Sequence, residues 1–252
     1  MHKKFRYILV AAAIILLFSC SMKPEGNHSK DEGMIADNTV YIAAEEYPEP
    51  GITEAAVEEE EPIEDKETVI IGASRYEYDP ELGGYSVSAS GFGGELTILS
   101  DINGVPVVSV ADGAFCCRSD IYGNLMIPDS VISIGKRAFY GCSGLTGDLF
   151  IPNNVEYLGA SAFEKCYGFD GFLYIGRGIK EIPERAFRGC YGFYGDLLIP
   201  ENIESIGDEA FFNCFGFSGS LIMPGKDISI GKKVFSYCFG LVKGITANPR
   251  FY

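Results

Sequence analysis

The stretch SIGKRAFYGCSGLTGDLFIP, residues 133–152, decides the fold, because its parts return along the chain at a constant interval. Ile134-Gly135 recurs as Leu158-Gly159, Ile206-Gly207 and Ile230-Gly231. Ala138-Phe139 recurs as Ala162-Phe163, Ala186-Phe187 and Ala210-Phe211. The interval is 24 residues, which Phe115, Phe139, Phe163, Phe187, Phe211 and Phe235 keep throughout. Cys142, Cys166, Cys190, Cys214 and Cys238 each follow their Phe by three. Four more apolar columns hold the same phase, beginning at Val107, Val110, Leu125 and Ile127. A fixed period of this length is the pattern of a solenoid: one turn alone cannot bury its apolar face, but stacked turns can.

Within one turn, Leu149-Phe150-Ile151 alternates as a strand does and is closed by Pro152. Leu149 and Ile151 then share one side and Phe150 faces the other. Val155 to Leu158 reads as a second short extended piece, and Gly159 permits a turn. Ala160 to Cys166 reads as one helical or 3₁₀ turn, with Phe163 and Cys166 on the same face. Stacking in register pairs equivalent strands as a parallel sheet, with turns roughly 4.7–4.9 Å apart.

The recurring frame is Leu-x-Ile-Pro-x-x-Val-x-x-Ile-Gly-x-x-Ala-Phe-x-x-Cys, as in IPDSVISIGKRAFYGCSGLTG at residues 127–147. It resembles the leucine-rich repeats of BspA-like surface proteins, related to the treponemal type, over about residues 94–246. The resemblance implies a right-handed leucine-rich-repeat solenoid, β-rich with short helical turns, exported and used for binding. It names no ligand. The copies depart from the frame in places: Gly176 replaces Pro, Pro183 replaces Gly, Val234 replaces Ala, and Cys116-Cys117 break the cysteine phase.

The rest of the chain divides around that array. Residues 94–252 hold about six turns, and residues 67–93 read as an N-terminal cap. There SRYEYDPELGGYSVSAS alternates on both sides of Gly83-Gly84, a hairpin signal. Residues 1–19 are a targeting segment: Lys3, Lys4 and Arg6 precede an apolar run from Ile8 to Phe18, too short to span a bilayer as a helix. Leu17-Phe18-Ser19-Cys20 resembles the lipobox of bacterial lipoproteins, which implies cleavage before Cys20 and acylation of its thiol. The alternative is an ordinary secretory signal with an incidental cysteine. Acyl chains contribute about 0.8 kcal/mol per buried CH₂, so several make a firm anchor. The expected location is the bacterial outer membrane at the cell surface.

Residues 20–66 read as an acidic flexible tether. Positions 21–66 hold 14 Asp/Glu against 3 Lys/Arg, with little periodicity, and such a segment buries too little apolar surface to offset its ordering entropy. A calcium role for Glu58 to Glu61 lacks the spaced, turn-forming ligands it would need. The whole chain has a formal net charge of −15, which argues against nucleic acid as a partner.

The catalytic inventory is thin. The two histidines are His2 and His28, so the repeat region has none, and Ser-His-Asp, Cys-His and His-ligated metal arrangements are excluded there. Asp148 and Asp196 share a phase two turns apart, but a regular solenoid face offers no cleft for paired-carboxylate chemistry. No enzyme activity, cofactor or metal is expected. Buried thiols suit the cysteine column best, and a disulfide ladder or a metal site are the alternatives.

The candidate binding residues are the outward strand positions Met126, Phe150, Tyr174, Leu198 and Ile222, with Phe172 two residues before Tyr174. A second ribbon follows the cysteines: Tyr167, Tyr191, Phe215 and Phe239. Exposed apolar ribbons mark interaction surfaces, unless a loop covers them as satellite core. The expected partner is a protein or a glycan, in an adhesin-like role; the alternative is a structural, self-associating envelope component without an external ligand.

Overall fold

The computed structural model describes residues 39–41 and 68–241. From residue 94 the chain winds through six turns, each with two short strands and a bent third side. The first side carries Gly94–Glu95, Ile121–Met126, Leu145–Phe150, Leu173–Tyr174, Leu197–Leu198 and Leu221–Ile222; the second carries Val105–Val110, Ser133–Ile134, Tyr157–Leu158, Glu181–Ile182, Ser205–Ile206 and Ser229–Ile230. Equivalent residues pair in parallel one period apart, as Leu149 with Leu173 and Ser205 with Ser229. The core is the inside of this stack, where the apolar columns are buried except at Leu221, Met223, Ile230 and Phe235 of the last turn.

The third side corrects one expectation. Ala160 to Cys166 is no helical turn but a run of overlapping β-turns: Ala162 N donates to Gly159 O, Glu164 N to Ser161 O and Cys166 N to Phe163 O. The intervening amides of Ser161, Phe163 and Lys165 donate to Glu184, Ala186 and Arg188 of the next turn, at 3.0, 2.9 and 2.8 Å. Alternate amides thus serve the local bend and the stack, so none needs a helix. The two flanking bends are of type II, which requires positive φ at the third residue. Ser161 and Lys165 have φ of 58° and 62°, and the equivalent residues of every turn fall between 53° and 78°. Most are not glycine, and the stack holds them in a conformation that costs roughly 1–3 kcal/mol each.

Phe115, Phe139, Phe163, Phe187, Phe211 and Phe235 form a stack with ring centroids 5.1–5.7 Å apart and planes within 12°. Beside it Phe169, Phe193 and Phe217 stack at 5.5 and 5.9 Å. The first stack was legible as a column. The second continues Ile121 and Leu145 and carries no single residue type.

The cap has Thr68–Ile71, Ser74–Asp79 and Gly84–Ala89 as an antiparallel meander, and Gly84–Ala89 then pairs in parallel with Val105–Val110 of the first turn. Tyr76, Tyr85 and Val87 are buried over the end of the stack. Thr39–Tyr41, within the stretch read as a tether, adds a parallel strand to Thr68–Ile71. Its Thr-Val-Tyr composition suits an edge strand. Cys20 and the targeting segment lie outside the described residues.

Both ladders are interrupted at the fourth turn. The second-side ladder stops between Leu158 and Ile182, and the first-side ladder between Tyr174 and Leu198. Pro183 explains the former. In the neighbouring turns this position is glycine, and Gly159 N and Gly207 N donate to Ile134 O and Ile182 O of the turn before. A proline has no such donor. It also carries a Cβ where one built on Gly159 would lie 2.3 Å from Lys136 N. On the first side the exchange is reversed. Gly176 replaces proline, and a Cβ there would lie 2.1 Å from Pro152 O, so the fourth turn approaches the third more closely than a proline would allow.

Candidate functional site

The first-side ladder points alternate residues inward and outward, and the outward set is exposed. Met126, Phe150, Tyr174 and Leu198 are 78%, 51%, 49% and 53% accessible, and Phe172 is exposed beside them. Ile222 is half-buried, less open than the pattern implied. No described segment covers the ribbon as satellite core. Phe150 and Tyr174 have ring centroids 6.0 Å apart, and Phe172 lies 6.2 Å from Tyr174. Tyr194 joins them, 4.5 Å from Phe172. It escaped the sequence reading because its column runs Tyr122, Thr146, Asp170, Tyr194 and Ser218, which shows no apolar repeat.

Phe150, Phe172 and Tyr174 of this cluster form the wall of a groove of about 690 Å³ that crosses the interrupted part of the ladder. Phe150, Phe172, Tyr174 and Leu198 supply its apolar surface; Arg177, Asp196 and Glu201 supply charge. The fourth turn thus creates a groove where its ladder stops. A larger groove of about 1110 Å³ lies at the second interruption, against Pro183, where Lys136, Glu156, Lys180 and Glu181 mix charges of both signs and no aromatic cluster is present among the described residues.

The carboxylates beside the aromatic cluster are fixed by the stack. Asp148 Oδ1 accepts from Phe172 N at 2.7 Å, Asp170 Oδ1 from Gly147 N at 2.7 Å and Asp196 Oδ1 from Ser220 N at 2.6 Å. Asp148 and Asp196 therefore act as links between turns.

In the second ribbon Tyr167, Tyr191 and Phe215 stack face to face at 4.8 and 5.1 Å. Phe239 stands apart at 80% accessible, edge-on to Tyr237. The rings of the stacked three spend their faces on one another and present edges outward.

The cysteine column is buried and unbridged. Each thiol donates to the Phe carbonyl 27 residues earlier, as Cys166 Sγ to Phe139 O at 2.9 Å. That carbonyl already accepts from Cys142 N. Cysteine fits because it is small, apolar and still able to satisfy the second lone pair. Burial pushes the Cys142 thiol up to about 12 and raises Cys190 and Cys214 as well. Cys116 and Cys117, out of phase, place their sulfurs 3.5 Å apart near the surface. Among the described residues no cluster of three or more His, Cys, Asp or Glu is placed to hold a metal ion.

The comparisons with known proteins follow the same periodicity. The BspA-type leucine-rich repeat region matches residues 108–242, more than half of the chain, in 6 copies. The chain belongs to the BspA-type leucine-rich repeat family. A leucine-rich repeat protein of T. pallidum is similar in structure, with a TM-score of 0.53 and 24% identity over 68% of this chain and 88% of that one. A leucine-rich cell surface protein of Faecalibacterium prausnitzii gives a TM-score of 0.56 and 22% identity over 73% of this chain and 54% of that one. At these identities the likeness shows the shared leucine-rich-repeat fold alone. No curated protein matches the chain.

Proposed function

We propose that this BspA-type protein is exported, anchored in the bacterial outer membrane by lipid on Cys20, and captures a protein or glycan partner through the first-side ladder. The carrying observation is the exposed cluster of Phe150, Phe172, Tyr174 and Tyr194 beside an apolar groove on the first side. Aromatic residues are the usual energetic anchors of interfaces, at about 2 kcal/mol or more each once a partner buries them. The rings already contact one another, so part of their side-chain ordering precedes binding. The cell-surface description of the F. prausnitzii relative supports the location. The scaffold reading, without catalysis, follows from a site that holds aromatics and rung-linking carboxylates.

The test replaces Phe150, Phe172 and Tyr174 together by Ser in the full chain. The expected result is a melting temperature nearly unchanged, since exposed substitutions usually stay within about 0.5 kcal/mol. Capture of host or microbial surface material should be lost. A large fall in melting temperature would make the cluster part of the core. Loss of self-association in sedimentation, with no ligand captured by the parent protein, would favour an envelope component that packs against itself.

A further inference from the structure

The aromatic groove has a chemical bias of its own. Around Phe150, Phe172, Tyr174 and Leu198 stand four carboxylates, Asp148, Asp170, Asp196 and Glu201, against one guanidinium, Arg177. Three of the four are held in fixed positions by the amides of neighbouring turns, with one oxygen of each engaged. Their second oxygens make no hydrogen bond or ion pair among the described residues. Asp148 and Asp196 are two turns apart, roughly 10 Å along the stack. The face therefore offers fixed acceptors and negative charge next to aromatic surface, and a partner must bring donors and positive charge together with apolar groups.

Ring orientation narrows the class. A glycan chain running along the stack would bind best to ring faces presented in parallel. Phe150 and Tyr174 are inclined by 46° to each other, and Phe172 by 54° to Tyr174 and 57° to Tyr194. These rings form the walls of a notch and do not form a platform. A notch with acidic margins suits a side chain that is apolar along its stem and cationic at its tip, as lysine and arginine are.

Resting on the reading of the first-side ladder as the binding face, we propose that the groove takes a basic amphipathic polypeptide segment. Apolar side chains of that segment seat against Phe150, Tyr174 and Leu198, and its lysines or arginines reach Asp148, Asp170 and Asp196.

The chain contains no tryptophan, so a peptide bearing one reports its own capture by fluorescence without background. The probe is a peptide alternating lysine with leucine and carrying one tryptophan. Its counterpart has glutamate for lysine, and a soluble β-linked glucan oligosaccharide serves as competitor. The lysine peptide should bind the full chain at least about tenfold more tightly than the glutamate peptide. The triple variant Asp148→Asn, Asp170→Asn, Asp196→Asn keeps an acceptor for each inter-turn amide, as Asn153 does for Arg177 N at 2.9 Å, so it should melt like the parent. It should weaken the lysine peptide about tenfold, the sum of a few modest charge contacts. Glu77→Gln on the cap should change nothing, whereas Phe150→Ser should weaken binding. Equal affinity for the two peptides, or indifference to the triple variant, would overturn the basic segment. A loss with Phe150→Ser in that case would still leave the face itself as the binding surface, and no loss would remove both. Displacement of the peptide by the glucan, dependent on Phe150, would reassign the groove to carbohydrate.

Discussion

Alanine in place of glycine at position 207 should destabilise the protein, against the ordinary direction of that exchange. Where the native backbone suits alanine, replacing glycine stabilises by about 0.4–1 kcal/mol through the unfolded chain. Gly207 has no left-handed backbone, so conformation alone would permit the gain. Packing forbids it. A Cβ there would stand 2.4 Å from Glu184 N and 2.8 Å from Pro183 C, both backbone atoms of the turn below. To admit the methyl group the two turns must part, which weakens the 2.7 Å bond from Gly207 N to Ile182 O. Overpacking of this kind costs about 1–3 kcal/mol, and a lost hydrogen bond adds about 0.5–1.5 kcal/mol. With the middle of each range taken and the unfolded-state gain subtracted, a net loss of about 2–3 kcal/mol remains. At about 2–4 °C per kcal/mol, the melting temperature should fall by about 4–12 °C. The control is Gly225→Ala, an exposed site where the nearest atom to a new Cβ is Glu201 Oε2 at 4.0 Å; that variant should melt at or slightly above the parent temperature. Thermal unfolding followed by far-ultraviolet circular dichroism measures both. A stabilised Gly207→Ala protein would refute the argument that close approach of turns fixes the glycine column.

Phe163→Ala, which deletes a fully buried ring stacked on both sides, should cost about 3–5 kcal/mol in urea unfolding, whereas Phe150→Ala should stay within about 0.5 kcal/mol. Stability should fall as pH rises from about 9.0 toward about 12. Burial holds Cys142 protonated in the fold over that window while the unfolded thiol ionises, so its contribution is whole below about 9.0 and lost above the folded value. Cys142→Ala should flatten that alkaline slope in denaturant titrations at successive pH values; an unchanged slope would show that the thiol is not responsible. Cys20→Ser should block processing and leave the precursor with its targeting segment, and a variant that matures and resists carbonate extraction would count against lipidation.

The periodic columns were legible because each core position must present an apolar side chain at every turn, and a 24-residue interval repeats that demand. The strand at Leu149-Phe150 was legible for the same reason, through its alternation. Other features left no trace of that kind. Ser161, Lys165 and Glu209 adopt positive φ because the stack demands it, and nothing in their chemistry announces the type II bends that replaced the expected helical turn. Tyr194 reaches the aromatic cluster from a column with no repeat. Pro183 and Gly176 were visible as departures from the frame, yet their effect depends on which amide of one turn serves which carbonyl of the next. The cysteines read as small buried residues; their bond to a carbonyl already in use appeared only in three dimensions.

The fourth turn has a mechanical consequence. Stress applied along the stack is borne by three rows of hydrogen bonds in parallel between each pair of turns. Between the third and fourth turns the second-side ladder is missing, and between the fourth and fifth the first-side row is reduced to the bond from Tyr194 N to Gly171 O at 3.1 Å, while the bent third side remains bonded across both junctions. A rod notched at adjacent levels on two of its sides bends more easily there than elsewhere, and the two notches yield in different directions. The compliant segment lies directly under the aromatic groove. On the proposed reading, with the N-terminus anchored and a ligand held in the groove, tension between them would be absorbed first at the place where the ligand sits, so grip and load would be coupled at the fourth turn.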